Sequence, residues 1–247
     1  MTKTILITGA SSGIGAGMAR EFAQMGYNLA ICARRLERLE TLKQELEQQY
    51  GIRVIAKSVD VTNYDQVFQV FREFKQDFGQ LDRIIVNAGV GEGRRIGKGN
   101  FAINKATVET NFISALAQCE AAVEIFREQN SGHLVMISSM SAIRGMPKHQ
   151  TAYGASKAAV AHLAEGIRAE LIDTPIQVTT IFPGYIRTAI NEGAKKLPFE
   201  VDEKTGSRLL AAEIEKAPIK AYVPKWPWLP LGLAMKVLPL KLVNKLG

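Results

Sequence analysis

"TILITGASSGIG", residues 4–15, couples an apolar, β-branched run to glycines at positions 9, 13 and 15 and then enters a segment of helical period. The run "ILIT" is continuous rather than alternating, as expected of a strand covered on both faces. The glycines permit a tight turn, let backbone N–H groups approach an anion, and allow close packing of helix on strand. The helix that follows directs the positive end of its dipole at the same point. A strand before and a helix after is the context a dinucleotide-binding turn requires, so Gly9, Ser11, Ser12, Gly13, Ile14 and Gly15 are read as cofactor-binding.

The same pattern repeats along the chain. Strands are expected near 4–8, 28–33, 52–57, 82–87, 132–138, 176–182 and 221–223, with helices near 14–25, 36–50, 64–78, 104–129, 154–173 and 206–217. Strand–helix alternation of this kind implies right-handed crossovers. The predicted fold is α/β: a single Rossmann-like, doubly wound domain over residues 1–224, with a seven-stranded parallel sheet and helices on both faces. Residues 225–247 are set apart as an apolar, basic C-terminal arm.

Composition sets the frame. Of 247 residues, 47% are hydrophobic and 22% charged, enough for a large core. Cys32 and Cys119 are far apart in apolar surroundings and read as buried free thiols of a reducing compartment. With no leader pattern and no apolar run long enough for a bilayer, cytoplasmic residence is expected, with peripheral membrane contact left open. The net charge of +7 is read as a lysine-rich surface; no zinc-finger or RNA-binding signature accompanies it, so no nucleic-acid partner is expected. His133, His149 and His162 show no metal-ligand spacing, and no metal is assigned.

"CARRLER" places Arg34 and Arg35 at the end of the second strand, where an acidic residue would accept bonds from a ribose 2′-OH and repel a 2′-phosphate. Guanidinium groups bind phosphate bidentately, so NADP(H) is favoured, with NAD(H) the alternative. The competing reading is a charged helix start in which Glu37 pairs with one of the arginines.

"YGASK" places Tyr153 and Lys157 four apart on one helix face. A phenol is a poor acid–base catalyst at neutral pH unless a nearby cation stabilises its phenolate, and Lys157 is such a cation. Each residue alone has a structural explanation: a core aromatic, or a solvated lysine. Their joint occurrence behind a dinucleotide turn favours chemistry.

In order, "TGASSGIG" (8–15), "DVT" (60–62), "NAG" (87–89), Asn111, "ISSMSA" (137–142), "YGASK" (153–157) and "PGYIRT" (183–188) resemble the short-chain dehydrogenase/reductase family over residues 4 to 190. The resemblance implies an oxidoreductase that interconverts a carbonyl compound and an alcohol. It implies Tyr153 as general acid/base, Lys157 also holding the nicotinamide ribose, Ser139 bonding the substrate oxygen, and Asn111 binding a water in a proton relay. It also assigns Asp60 and Val61 to the adenine, Asn87, Ala88 and Gly89 to the adjoining cofactor backbone, and Pro183, Gly184, Ile186 and Thr188 to the nicotinamide side. One departure is visible. Ser139 lies 14 residues before Tyr153, one more than the family spacing, and a bulge beyond Pro147 would absorb it; Ser138 and Ser141 are the alternatives.

The glycine-rich run 89–100 reads as a mobile loop beside the site, and 189–205 as a lid. The family pairs its two long helices across a two-fold axis, so a homodimer or homotetramer is expected, with Leu163, Ile167 and Leu171 as an apolar stripe. The tail from Pro218 holds both tryptophans, five of the nine prolines and no acidic residue. It suits a lid, a subunit contact or a membrane-surface segment, and points to a small hydrophobic substrate. A catalytically silent cofactor sensor or scaffold on the same fold is the alternative to an enzyme.

Overall fold

Thr4–Thr8 forms the first strand, β1, and all five of its residues are buried. Ile5 and Ile7 enter one hydrophobic cluster and Leu6 the other, so the period of two supplies two cores from one apolar run. The structure, a computed structural model, describes residues 2–188, 193 and 197–243. Strands β2 (Asn28–Ala33), β3 (Val54–Ser58), β4 (Arg83–Val86), β5 (Gly132–Ile137), β6 (Ile176–Pro183) and β7 (Lys220–Val223) complete a seven-stranded sheet. Its order is β3-β2-β1-β4-β5-β6-β7, and every pairing is parallel.

Helices α1 (Gly13–Gln24), α2 (Leu36–Tyr50) and α7 (Glu203–Glu215) cover one face, where Met18, Phe22, Leu39, Leu210 and Ile214 are buried. Helices α3 (Tyr64–Phe78), α5 (Ser114–Gln129) and α6 (Gln150–Glu170) cover the other, burying Phe71, Phe74, Phe126 and Val160. Local chemistry sets the ends. Asn63 caps α3 through Gln66 N, Asp202 caps α7 through Thr205 N, and Gly51 closes α2 at φ 65°. The chain leaves β1 for β2 on one side while β4 lies on the other, so the glycine turn sits at the switch point where the strand order reverses.

Three expectations change. The long helix near 104–129 begins earlier, as α4 (Phe101–Val108), and reaches α5 through a π-helical turn, Glu109–Ile113, that contains Asn111. Of the apolar stripe, Leu171 is buried in the subunit itself, while Leu163 and Ile167 are partly buried against the same core. The arm is helical: α8 (Lys225–Val237) is followed by α9 (Leu240–Val243). Trp226 is non-helical, so the regular helix starts at Pro227, where no intrahelical N–H donor is lost, and Pro230 lies inside it. Residues 189–192 and 194–196 of the expected lid lie outside the described residues; beyond them Val201 bridges to Ile186 and α7 begins.

Candidate active site

The glycine turn is a cradle with no room for side chains. Gly9 has φ 68°, and a Cβ there would stand 2.9 Å from Ala88 Cα; one on Gly15 would stand 2.4 Å from Gly9 O. Asn87 ties the two strand ends together. Its Nδ2 donates to Thr8 O at 2.8 Å, while its backbone N–H and that of Ala88 donate to Thr8 Oγ1. Its Oδ1 is buried without a partner among the described residues, an acceptor held ready beneath the turn. Thr188, from the loop after β6, lies over the same turn, with its Cβ 3.4 Å from where a Cβ on Gly13 would be. The residues present therefore fit a dinucleotide.

Arg35 reaches back across the turn. Its Nη2 donates to Ser11 Oγ at 3.0 Å and to Ser12 Oγ at 2.8 Å, which gathers two hydroxyls and a guanidinium into one anion-binding group. Arg34 lies nearer Asp60. That carboxyl is held below the usual range chiefly by the Thr62 N–H bond, with the Thr62 hydroxyl and the Arg34 charge adding to it. Asp60 Oδ1 takes both Thr62 bonds, closing the turn ahead of α3, and Val61 is buried in the core.

Ser139, Tyr153 and Lys157 converge at the ends of β5 and α6. Ser139 Oγ accepts from Ser141 N at 3.2 Å and from Ser141 Oγ at 2.9 Å. With its acceptor sites used, its proton is left to donate, and the Ser139 hydroxyl acts to lower the pKa of the Tyr153 phenol. Just beyond Pro147, Lys148 adopts φ 63°, and Gln150 N bonds to Pro147 O. Ser138 is committed elsewhere, its buried hydroxyl donating to Lys157 O at 2.7 Å.

Burial raises the Tyr153 phenol above its ordinary value, the Ser139 bond works against this, and nearby Tyr185 adds to the rise. Burial also lowers the Lys157 ammonium to about 8. Its Nζ donates to Ile137 O at 3.0 Å. A Cβ on Gly89 would lie 3.4 Å from that Nζ and 3.0 Å from Asn111 Oδ1, so the glycine lets the three residues meet. The Asn111 side chain grips the chain after β4, accepting from Val90 N and donating to Val90 O and Ser156 Oγ. The loop 89–100 is likewise laced to α4: Thr107 donates to Glu92 O, and Asn104 exchanges bonds with the Arg94 backbone.

The sequence offered the arm as a lid, a subunit contact or a membrane-surface segment but did not name the residues through which it packs. Trp228 of α8 packs edge-on to Tyr185 at 5.4 Å and to Phe199 at 6.2 Å, and joins Met140 and Phe182 in a small cluster. Tyr185 stands within "PGYIRT" and Trp228 in the aromatic arm; the signal was present, the contact was not. Together these groups offer a glycine turn with an adjoining guanidinium and two hydroxyls, a phenol beside a serine pair and a buried lysine, and an aromatic cluster.

Residues 3–197 match the family described as short chain dehydrogenase. An uncharacterised oxidoreductase of Mycobacterium tuberculosis is 48% identical over 242 residues, covering 98% of this chain and 96% of the relative. A short-chain dehydrogenase from Sphingobium yanoikuyae, solved in complex with NADPH, is similar at a TM-score of 0.82 and 27% identity, covering 96% of each chain. An NADPH-dependent 3-quinuclidinone reductase from Rhodotorula rubra is similar at 0.76 and 29%, covering 87% of this chain and 84% of its own.

Proposed function

The chain belongs to the short chain dehydrogenase family of oxidoreductases, and from that premise we propose that it interconverts a hydrophobic ketone or aldehyde with its alcohol, using NADP(H) and Tyr153 as general acid/base. The observation that carries the reading is the convergence of Ser139, held by Ser141, on the Tyr153 phenol, with buried Lys157 one turn away. When bound, the nucleotide supplies the hydride for reduction and accepts it in oxidation.

Gly9, Gly13, Ile14 and Gly15 would hold its pyrophosphate, and Ser11, Ser12, Arg34 and Arg35 the 2′-phosphate. Asp60 and Val61 would flank the adenine, Asn87, Ala88 and Gly89 the adjoining backbone, and Pro183, Gly184, Ile186 and Thr188 the nicotinamide. The NADPH complex of one related structure, the NADPH dependence of the other and the Arg35–Ser11–Ser12 cluster all favour the phosphorylated nucleotide.

In the reductive direction Tyr153 delivers its proton to the substrate oxygen, which Ser139 orients. The raised phenol remains protonated until that oxygen needs the proton. In the oxidative direction the Ser139 bond and a charged Lys157 stabilise the phenolate that takes the proton. Lys157 also holds the nicotinamide ribose, and Asn111 keeps the floor of the site in place and binds a water in a proton relay through Lys157. Tyr185, Trp228, Phe199 and Met140 favour an apolar substrate body. Assembly as a homodimer or homotetramer, and cytoplasmic residence with peripheral contact through the arm, complete the reading.

A panel of apolar ketones and alcohols assayed with NADPH, NADH and their oxidised forms tests it. Tyr153→Phe is expected to lower kcat/KM by about 10²–10⁴-fold. Full turnover in that variant overturns the assignment.

A further inference from the structure

Helix α8 presents two apolar faces, and the enclosed core accounts for one. Trp228, Gly232 and Met235 face inward: Trp228 joins Met140 and Phe182, and Met235 joins Met146 and Val243. Arg144 fastens the end of the helix, its guanidinium donating to Lys236 O at 3.4 Å and Leu238 O at 3.3 Å. The opposite face is left to solvent. Trp226 is 79% exposed and Val237 82%, with Leu229, Leu233, Leu240 and Leu242 exposed between and beyond them. The other exposed positions from 225 to 242 are prolines, an alanine and lysines at 225, 236 and 241. No acidic residue follows Glu215 anywhere in the sequence.

We propose that this outer face docks on an anionic phospholipid surface. The stripe runs roughly 17 Å along α8 at 1.5 Å per residue, so the helix lies in the interface rather than crossing it. No helix among the described residues is long and apolar enough to cross a membrane. Tryptophan at one end, leucines along the middle and lysines at the margins match the depth profile of a bilayer's headgroup boundary. Charge selects the occupant. A second copy meeting the stripe face to face would set Lys236 and Lys241 against lysines with no carboxylate in the arm to answer, whereas anionic headgroups complement both. Lys225 also reaches Glu213, at 3.5 Å, which holds one margin to α7. Because the inner face of α8 walls the candidate active site, an apolar molecule in the lipid would lie one helix away from Tyr185 and Trp228. The docking surface itself does not depend on the proposed reaction.

The test uses the full chain and sedimentation with phosphatidylcholine vesicles, with and without phosphatidylglycerol. The protein is expected to pellet with the anionic vesicles and to be released by high salt, with a blue-shifted tryptophan emission in the bound state. Leu233→Glu with Val237→Glu, both at exposed positions, is expected to lower the bound fraction about tenfold while leaving the thermal midpoint unchanged. Lys236→Glu with Lys241→Glu keeps the apolar stripe and is expected to abolish the preference for anionic vesicles. Three results overturn the proposal: protein in the supernatant of both vesicle types, equal binding to both, or a Leu233→Glu/Val237→Glu variant of smaller particle mass in lipid-free solution. The last would show that a second copy covers the stripe.

Discussion

The indole of Trp228 stands against the α-carbon of Gly184 so closely that a Cβ there would lie 2.1 Å from its Nε1. The same glycine donates its N–H to Val223 O at 2.8 Å, so the loop after β6 and the entrance to α8 form one packed unit. Trp228 Nε1 is buried without a partner among the described residues.

Gly184→Ala should therefore force the indole outward. Overpacking of this kind costs about 1–3 kcal/mol, and for a chain of this size each kcal/mol lowers the unfolding midpoint by roughly 2–4 °C. Combining it with Trp228→Ala should recover part of the loss, because the clash disappears with the ring. Calorimetry of the two single variants and the double variant measures the coupling; strict additivity would show that the contact carries no energy.

Arg34 and Arg35 look equivalent in the sequence and are not equivalent in space. Arg35 is joined to Ser11 and Ser12, whereas Arg34 lies by Asp60. Arg35→Glu is expected to weaken NADPH binding by about 10–100-fold, the range for loss of charge-assisted bonds, and to affect NADH much less. Arg34→Glu should have the smaller effect. Fluorescence titration of both nucleotides decides the matter, and an unchanged NADPH to NADH ratio for Arg35→Glu would refute the phosphate role.

Lys157 gives the reaction a pH limit. Its ammonium is lowered to about 8 by burial, so the nucleotide-free protein loses that charge as pH rises through 8. Because kcat/KM reports the free enzyme, ketone reduction should decline along a basic limb centred near that value. Lys157→Arg, which keeps its charge, should move the limb upward at reduced activity; a limb that stays in place belongs to another group.

His133 links stability to acid. Arg83 Nε donates to its Nδ1 at 2.9 Å, its Nε2 meets Thr179 Oγ1 at 2.8 Å, and Thr179 donates to Pro218 O at 2.6 Å. Burial first, and then the Arg83 charge, lower the ring from 6.5 to about 3. As pH falls through 6.5 the unfolded chain takes up a proton that the folded protein refuses until about 3. Stability should fall across that window by at most about 1.4 kcal/mol per pH unit from this group. Urea titrations at several pH values should show a flatter dependence for His133→Gln; identical slopes would assign the acid sensitivity elsewhere.

The sheet was legible because its signals are local. "ILIT", "RIIV" and "HLVMI" are apolar on both faces, and the intervening segments carry helical periods, so strand number and parallel order followed from alternation and crossover handedness. The candidate site was legible where spacing encodes geometry, as in Tyr153 and Lys157 on one helix face. It was not legible where the partner is remote. Nothing near Arg35 in the chain distinguishes it from Arg34, and nothing near Trp228 reveals that Gly184, 44 positions earlier, receives its ring.

Residue order alone thus established the doubly wound sheet, the glycine turn at its switch point and the phenol–ammonium pair, since periodicity and short-range sterics act within a few residues. Folding settled the rest: which arginine faces the turn, which serine keeps a proton for Tyr153, the rise of the phenol and fall of the ammonium, and the inward turn of one face of the arm. These depend on exclusion of water and on contacts between segments far apart in the chain. Such effects arise only once the sheet has brought its strand ends together.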